Sequence, residues 1–201
     1  MDGARPTAEA RPLRRDAERN RRLIVDAGRE VFAARGLAAT LNDVAHHAGV
    51  GVGTVYRKFP DKQSLADAVF AGELDEIAAL AARAAAEDDA FAAFGDFLAR
   101  SFARAATNRG LRELMRGGGT GAAGVARART EIAAHCTALV ARAHAQGTLR
   151  KDVTAADIPS IAAMLDAVMP PPDAPPSENP PPETWRRWLA ILLDGLRAPD
   201  Q

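Results

Sequence analysis

The sequence predicts an all-α protein, and three observations carry that prediction. Apolar residues recur at helical spacing along nearly the whole chain, whereas no stretch alternates apolar and polar residues as a half-buried strand would. Alanine and arginine dominate, and both are good helix formers. Residues 40–62, TLNDVAHHAGVGVGTVYRKFPDK, read as two short helices joined by a tight turn, with a proline before the entry to a third.

Taken in order, residues 1–15 are expected to form a disordered arm. The first helix is expected from about Asp16 to Arg35, with Leu23, Ile24, Ala27, Val31 and Phe32 on one stripe and Gly36 ending it. Thr40 followed by Asp43 is a capping box, which starts a second helix at Leu41. Gly49 ends that helix, because glycine tolerates a left-handed cap. The chain restarts at Val52, and Pro60 pushes Phe59 out of helical geometry. Helices this short are not stable alone, so the pair must lean on neighbours. A short second helix bearing Thr54, Tyr56, Arg57 and Lys58 suits a DNA major groove.

Asp61 caps a long helix reaching about Ala86, a bridge out of the N-terminal unit. A fifth helix, about Asp89 to Thr107, aligns Phe91, Phe94, Leu98 and Phe102. A short turn of helix, Leu111 to Arg116, precedes a Gly-rich loop at 117–124. A seventh helix, about Val125 to Gln146, is stopped by Gly147, and an eighth starts near Ala155. The proline-rich stretch 169–182 cannot be helical, because proline lacks the donor and clashes with the preceding turn. The last helix, Glu183 to Arg197, carries an unusually large apolar face.

Composition narrows the function classes. The 201 residues are 47% hydrophobic, enough for one or two real cores, and no apolar run is long enough to cross a bilayer. The arginines near the start have no apolar segment behind them, so a cytoplasmic protein is expected rather than a secreted one. The single cysteine, Cys136, excludes an internal disulfide and a multi-cysteine zinc site. Residues 1–62 hold twelve Lys and Arg against eight Asp and Glu, whereas residues 63–201 hold fourteen against eighteen. A basic N-terminal third on a mildly acidic body fits a DNA reader joined to a separate regulatory unit. No paired carboxylates, nucleophile–base set or metal-ligand spacing stands out, so no catalysis, metal or cofactor is expected. His46 and His47 are adjacent on a helix and point apart, and His135 and His144 lie more than two turns from each other.

The stretch GLAATLNDVAHHAGVGVGTVYRKFPDKQSLADAVF resembles the N-terminal domain of TetR-type bacterial transcriptional regulators. The resemblance rests on Gly36, Thr40, Val44, Ala45, Ala48, Gly49, Val50, Gly53, Thr54, Val55, Tyr56, Phe59, Lys62 and Leu65. The segments AHAQGTLRKDVTAADI and WRRWLAILLDGLR are similar to the SbtR-like C-terminal domain. The resemblance implies an N-terminal helix-turn-helix domain over 16–62 and a helical-bundle domain over 63–201 for ligand binding and dimerisation. It also implies a homodimer that binds double-stranded operator DNA, most simply as a repressor released by a small-molecule effector. An activator, a ligand-free DNA-bound factor, and a helical enzyme or binding protein with DNA-reader-like helices are the alternatives.

On the resemblance, Thr40, Thr54, Tyr56 and Lys62 match phosphate-contacting positions, and hydroxyls or an ammonium at helix starts suit anionic oxygens. Val52, Gly53, Arg57 and Lys58 match positions near base edges or flanking phosphates. Gly51 stands where family members usually have serine, so one hydroxyl contact is missing. Candidate effector contacts are Phe94, Leu98, Phe102, Leu114, Met115, Ile132, His135, Leu139 and Met164, an apolar set with one polar group. Candidate dimer-interface residues are Ile158, Ile161, Leu165, Trp185, Trp188, Leu189, Leu192 and Leu196, stripes too apolar for full exposure and divided between interface and core.

Overall fold

A computed structural model of the chain describes residues 10–116, 123–169 and 184–199. The described residues form nine α-helices and no strand. These are α1 (Ala10–Arg35), α2 (Leu41–Ala48), α3 (Val52–Lys58), α4 (Lys62–Ala86) and α5 (Ala90–Ala106), then α6 (Arg109–Met115), α7 (Ala123–Ala145), α8 (Ile158–Ala167) and α9 (Thr184–Leu196). Two 3₁₀ turns, Gly36–Ala38 and Ala155–Asp157, lead into α2 and α8.

The expected start of the first helix at Asp16 is corrected by six residues, to Ala10. Pro12 lies within the first turn, where an amide has no intrahelical acceptor to lose, so proline does not interrupt the helix. Of the arm expected over 1–15, residues 10–15 are therefore helical, and residues 1–9 lie outside the described residues. The Gly-rich loop is described only from Ala123, already inside α7, and the proline connector only at Met169. The eighth helix starts three residues late because Ala155–Asp157 forms a tighter turn. There Asp157 accepts from both the Thr154 amide, at 2.7 Å, and the Thr154 hydroxyl, at 2.9 Å.

One contiguous set of buried side chains runs through the molecule. Ile24, Phe32, Val44 and Val55 join α1 to α2 and α3, and Leu65, Val69 and Phe70 bring in the first half of α4. Phe32 and Phe70 stack with ring centroids 5.8 Å apart. At 25 residues α4 is about 37 Å long. Its second half turns Leu74, Ile77 and Ala81 toward α5 and α7, so one rigid rod belongs to both ends of the molecule. The tail is fastened to α5 by Trp185 against Phe102 and by Arg197 over the ring of Phe91. It is fastened to the turn after α7 by two backbone hydrogen bonds, Arg150 to Leu196 and Ala198 to Thr148, each 3.0 Å.

Candidate nucleic-acid interface and interior cavity

The N-terminus of α2 is built as its sequence requires. The Thr40 amide donates to Asp43 at 2.9 Å and the Asp43 amide donates to the Thr40 hydroxyl at 3.2 Å, which closes the capping box. The Thr40 amide and hydroxyl, with Arg35 adding its charge, hold the Asp43 carboxyl below the usual carboxylate range. Gly49 adopts φ 65°, and the Val50 amide reaches back to the Ala45 carbonyl. That left-handed residue turns the chain abruptly into α3.

Each face of α3 has a separate task. Val55 is fully buried and Phe59 nearly so, with Arg21 of α1 over the Phe59 ring at 5.4 Å. On the other side Val52 and Tyr56 are 45% and 47% exposed, beside exposed Gly53 and Arg57 and half-buried Thr54 and Lys58. Arg57 and Lys58 make no ion pair among the described residues, so both cations face solvent uncompensated. Gly51 caps α3 in an extended conformation without a side-chain bond, which leaves the first amides of the helix open toward solvent. A Cβ at Gly53 would meet nothing within 4 Å.

Two residues assigned to phosphate contact also serve the protein itself. The Thr40 hydroxyl donates to Asp43 at 2.7 Å, so its proton is already used. The Lys62 ammonium donates to the Leu37 carbonyl at 2.6 Å, one of its three N–H directions. His47 meets Glu30 of α1 at 2.7 Å and thereby ties α2 to α1.

Helices α4, α5, α6, α7 and α8 line a cavity of about 470 Å³ whose rim includes the exposed Ala133, Thr137 and Pro159. Of the candidate effector contacts, Leu98, Phe102, Leu114, Met115 and Ile132 lie on its wall. Phe94 and Leu139 are instead buried in the core away from it, His135 is half-buried off the wall, and Met164 is half exposed on α8. Ser101, Arg129, Cys136 and Thr137 reach the wall without having been singled out as contacts. Burial pushes the Cys136 thiol up to about 11, so it stays neutral at physiological pH. A second, larger groove of about 610 Å³ lies outside, between the end of α4 and α5, and is lined by charged residues such as Arg83, Glu87, Asp89 and Asp96. The inner, largely apolar cavity is the better match to a small-molecule site.

Helix α6 connects the two regions. Its Leu114 and Met115 face the cavity, while Glu113 accepts a 2.6 Å hydrogen bond from the Leu37 amide in the 3₁₀ turn before α2. Leu37 is thus held on both sides of its backbone, by Glu113 through its amide and by Lys62 through its carbonyl. Gly36 makes this approach possible: at φ 69° it takes a left-handed turn, and a Cβ there would lie 2.3 Å from the Glu113 carboxylate. On its other side α6 sends the buried Arg112 to Asp166 of α8 at 2.9 Å, where Arg116 also pairs. Gly110 lets α6 sit against α1, since a Cβ there would come within 2.9 Å of the Phe32 carbonyl oxygen.

Among the interface candidates, Ile161, Leu165, Trp185 and Leu189 are buried in the protomer's own core. Ile158, Leu192 and Leu196 are half-buried and Trp188 is 45% exposed. Ile191 and Met164 are likewise exposed, at 47% and 50%, although neither was assigned to the interface from the sequence. No helix among the described residues is long and apolar enough to cross a membrane.

Comparison with known proteins follows the same division. Residues 24–69 match the model of bacterial regulatory proteins of the tetR family, and residues 89–198 match that of the transcriptional regulator SbtR-like C-terminal domain. A TetR transcription regulatory protein from Mycobacterium vanbaalenii is 31% identical, with a TM-score of 0.56, covering 93% of this chain and 100% of that one. A TetR transcriptional regulator from Streptomyces coelicolor is 28% identical, with a TM-score of 0.58, covering 90% of this chain and 99% of that one. An HTH-type transcriptional regulator of Staphylococcus aureus (strain USA300) is 36% identical over 64 residues, 31% of this chain; the match spans only 35% of that relative's length. The chain belongs to the TetR family of bacterial transcriptional regulators, in the branch with an SbtR-like C-terminal domain.

Proposed function

We propose that this chain is an operator-binding transcriptional repressor that acts as a homodimer and leaves DNA when a small-molecule effector fills the cavity. Residues 16–62 form the DNA reader, and residues 63–201 hold the effector and the partner copy. The observation that carries this reading is the division of α3: Val55 and the adjoining Phe59 anchor it, while Val52, Tyr56, Arg57 and Lys58 project from its open side. A helix that spends a large aromatic, an aliphatic and two unpaired cations on solvent has a surface suited to a major groove and its flanking phosphates.

In a dimer, two α3 helices reach successive major grooves only if they stand about 34–36 Å apart. Effector binding changes that spacing through the elements that touch both sites. These are the continuous α4 and the α6 contact in which Glu113 holds Leu37. A near-complete switch requires the effector to favour the released state by about 5.5 kcal/mol.

The test is fluorescence anisotropy of the full chain on fragments selected from genomic DNA. Specific binding is expected to fall steeply with salt, because phosphate neutralisation releases counterions. The double variant Tyr56→Ala, Arg57→Ala is expected to lose specific binding while its helical circular dichroism and melting temperature are kept. A flat salt response, or undiminished binding by that variant, overturns the reading.

A further inference from the structure

With the cavity taken as the effector site, its wall specifies a class of ligand. Ser101 on α5 is 2% exposed, lines the cavity, and its hydroxyl has no hydrogen-bond partner among the described residues. Buried hydroxyls in folded proteins are nearly always bonded, so this one awaits a polar atom from an occupant. Arg129 on α7 is the one charged side chain among the described wall residues, which include no Asp, Glu, Lys or His. Its guanidinium donates to the Leu114 carbonyl but pairs with no carboxylate among the described residues. Most of the remaining wall is hydrocarbon, Phe97, Leu98, Phe102, Ile132 and Ile158 among it.

These features discriminate between ligand chemistries. A cation would face Arg129 with no opposing charge on the wall. A neutral hydrocarbon would leave both the guanidinium and the Ser101 hydroxyl unanswered. A phosphomonoester would bring close to two negative charges against one guanidinium. We propose that the effector is an apolar monocarboxylic acid, its carboxylate paired with Arg129, one of its oxygens bonded to the Ser101 hydroxyl, and its body packed on the hydrocarbon wall. The cavity volume lies in the range of about 300–1,000 Å³ that holds such molecules. This inference rests on the effector reading given above.

Decanoate, decanol and decylammonium offer one chain length with three heads, and thermal shift with titration calorimetry on the full chain compares them. Decanoate is expected to bind at least about tenfold tighter than decanol, a difference of one good charged contact, and decylammonium is expected to give no shift. Arg129→Gln should erase the preference for decanoate while leaving decanol affinity unchanged. Ser101→Ala should weaken decanoate about fivefold to tenfold without lowering the melting temperature of the free protein, since the hydroxyl has no protein partner to lose. Equal binding of decanoate and decanol overturns the head-group assignment and leaves the cavity as a binding site. Decylammonium binding as well as decanoate, or none of the three binding, overturns the ligand class. Release from operator DNA, read separately by anisotropy, decides the regulatory reading independently of these outcomes.

Discussion

Gly53 stands at the second position of α3, where an added methyl group has open space on every side. Alanine there should therefore strengthen the helix, by about 0.5–1 kcal/mol over glycine. On DNA the same methyl would sit where the backbone approaches the duplex, so Gly53→Ala is expected to raise the denaturation midpoint while costing about tenfold or more in operator affinity. Parallel urea melts and anisotropy titrations measure both, and affinity that rises with stability would remove Gly53 from the interface. At the entry to α2, Asp43 supplies a pH dependence whose sign follows from its partners. Its carboxyl is held below the ordinary value by the Thr40 amide and hydroxyl, then by Arg35. Its stabilising contribution is thus fully present above the unfolded aspartate value of about 3.9 and is lost as pH falls through the lower folded value. The stability difference between the wild type and Asp43→Ala is expected to be constant from neutral pH to about 4 and to shrink below it. An Asp43 carboxyl resonance titrating at or above the ordinary aspartate value contradicts this.

Helix α6 is seven residues long, yet its successive side chains face three different structures. Arg112 reaches α8, Glu113 reaches the turn before α2, and Leu114 enters the cavity. Glu113→Ala leaves the half-buried Leu37 amide without its acceptor, a loss of about 0.5–1.5 kcal/mol in stability. If α6 couples the two sites, the same variant should bind operator yet respond to effector with a release ratio reduced by about fivefold or more, within the usual span of coupling energies. Anisotropy with and without effector measures this ratio, and an unchanged ratio assigns coupling to α4 alone. Elements of this kind divide what the sequence discloses from what it conceals. The capping box and Gly49 are local signals, and they place α2 and the turn after it correctly because hydrogen bonding within a few residues decides them, whereas Leu23, read into the buried stripe of α1, is 44% exposed. The three directions of α6 are tertiary, and a short segment reading LRELMR gives no sign of which neighbour each side chain meets. The cavity wall is concealed for the same reason. Phe94 and Leu98 share one apolar stripe, but only Leu98 borders the void, and Ser101 and Arg129 look like solvent-face residues until their neighbours are in place.

At the scale of the whole molecule, α9 is apolar on two sides, and only packing tells them apart. Trp185 and Leu189 turn inward at 2% and 4% exposure, whereas Trp188 and Ile191, on the same 13-residue helix, stay about half exposed. Met164 on α8, which packs on α9, is also half exposed. The sequence marks all of these as hydrophobic and cannot sort inward from outward, because both sets recur at helical spacing. Large aromatics left on a surface are typical anchors of protein–protein contacts, where truncating one often costs 2 kcal/mol or more. A two-fold axis beside α8 and α9 would bury this surface against its own copy and form a four-helix bundle. Since Trp188 adds little to the protomer's interior, Trp188→Asp is expected to preserve helical content and lower dimer affinity by at least about thirtyfold. Light scattering across a concentration series reads the monomer–dimer midpoint, and circular dichroism checks the fold. Operator affinity should fall with it, because one α3 alone holds a single half-site and loses the effective concentration supplied by its twin. A Trp188→Asp protein that stays dimeric at nanomolar concentration would place the two-fold axis on another face, and the spacing of the reading helices would then have to be set by different elements.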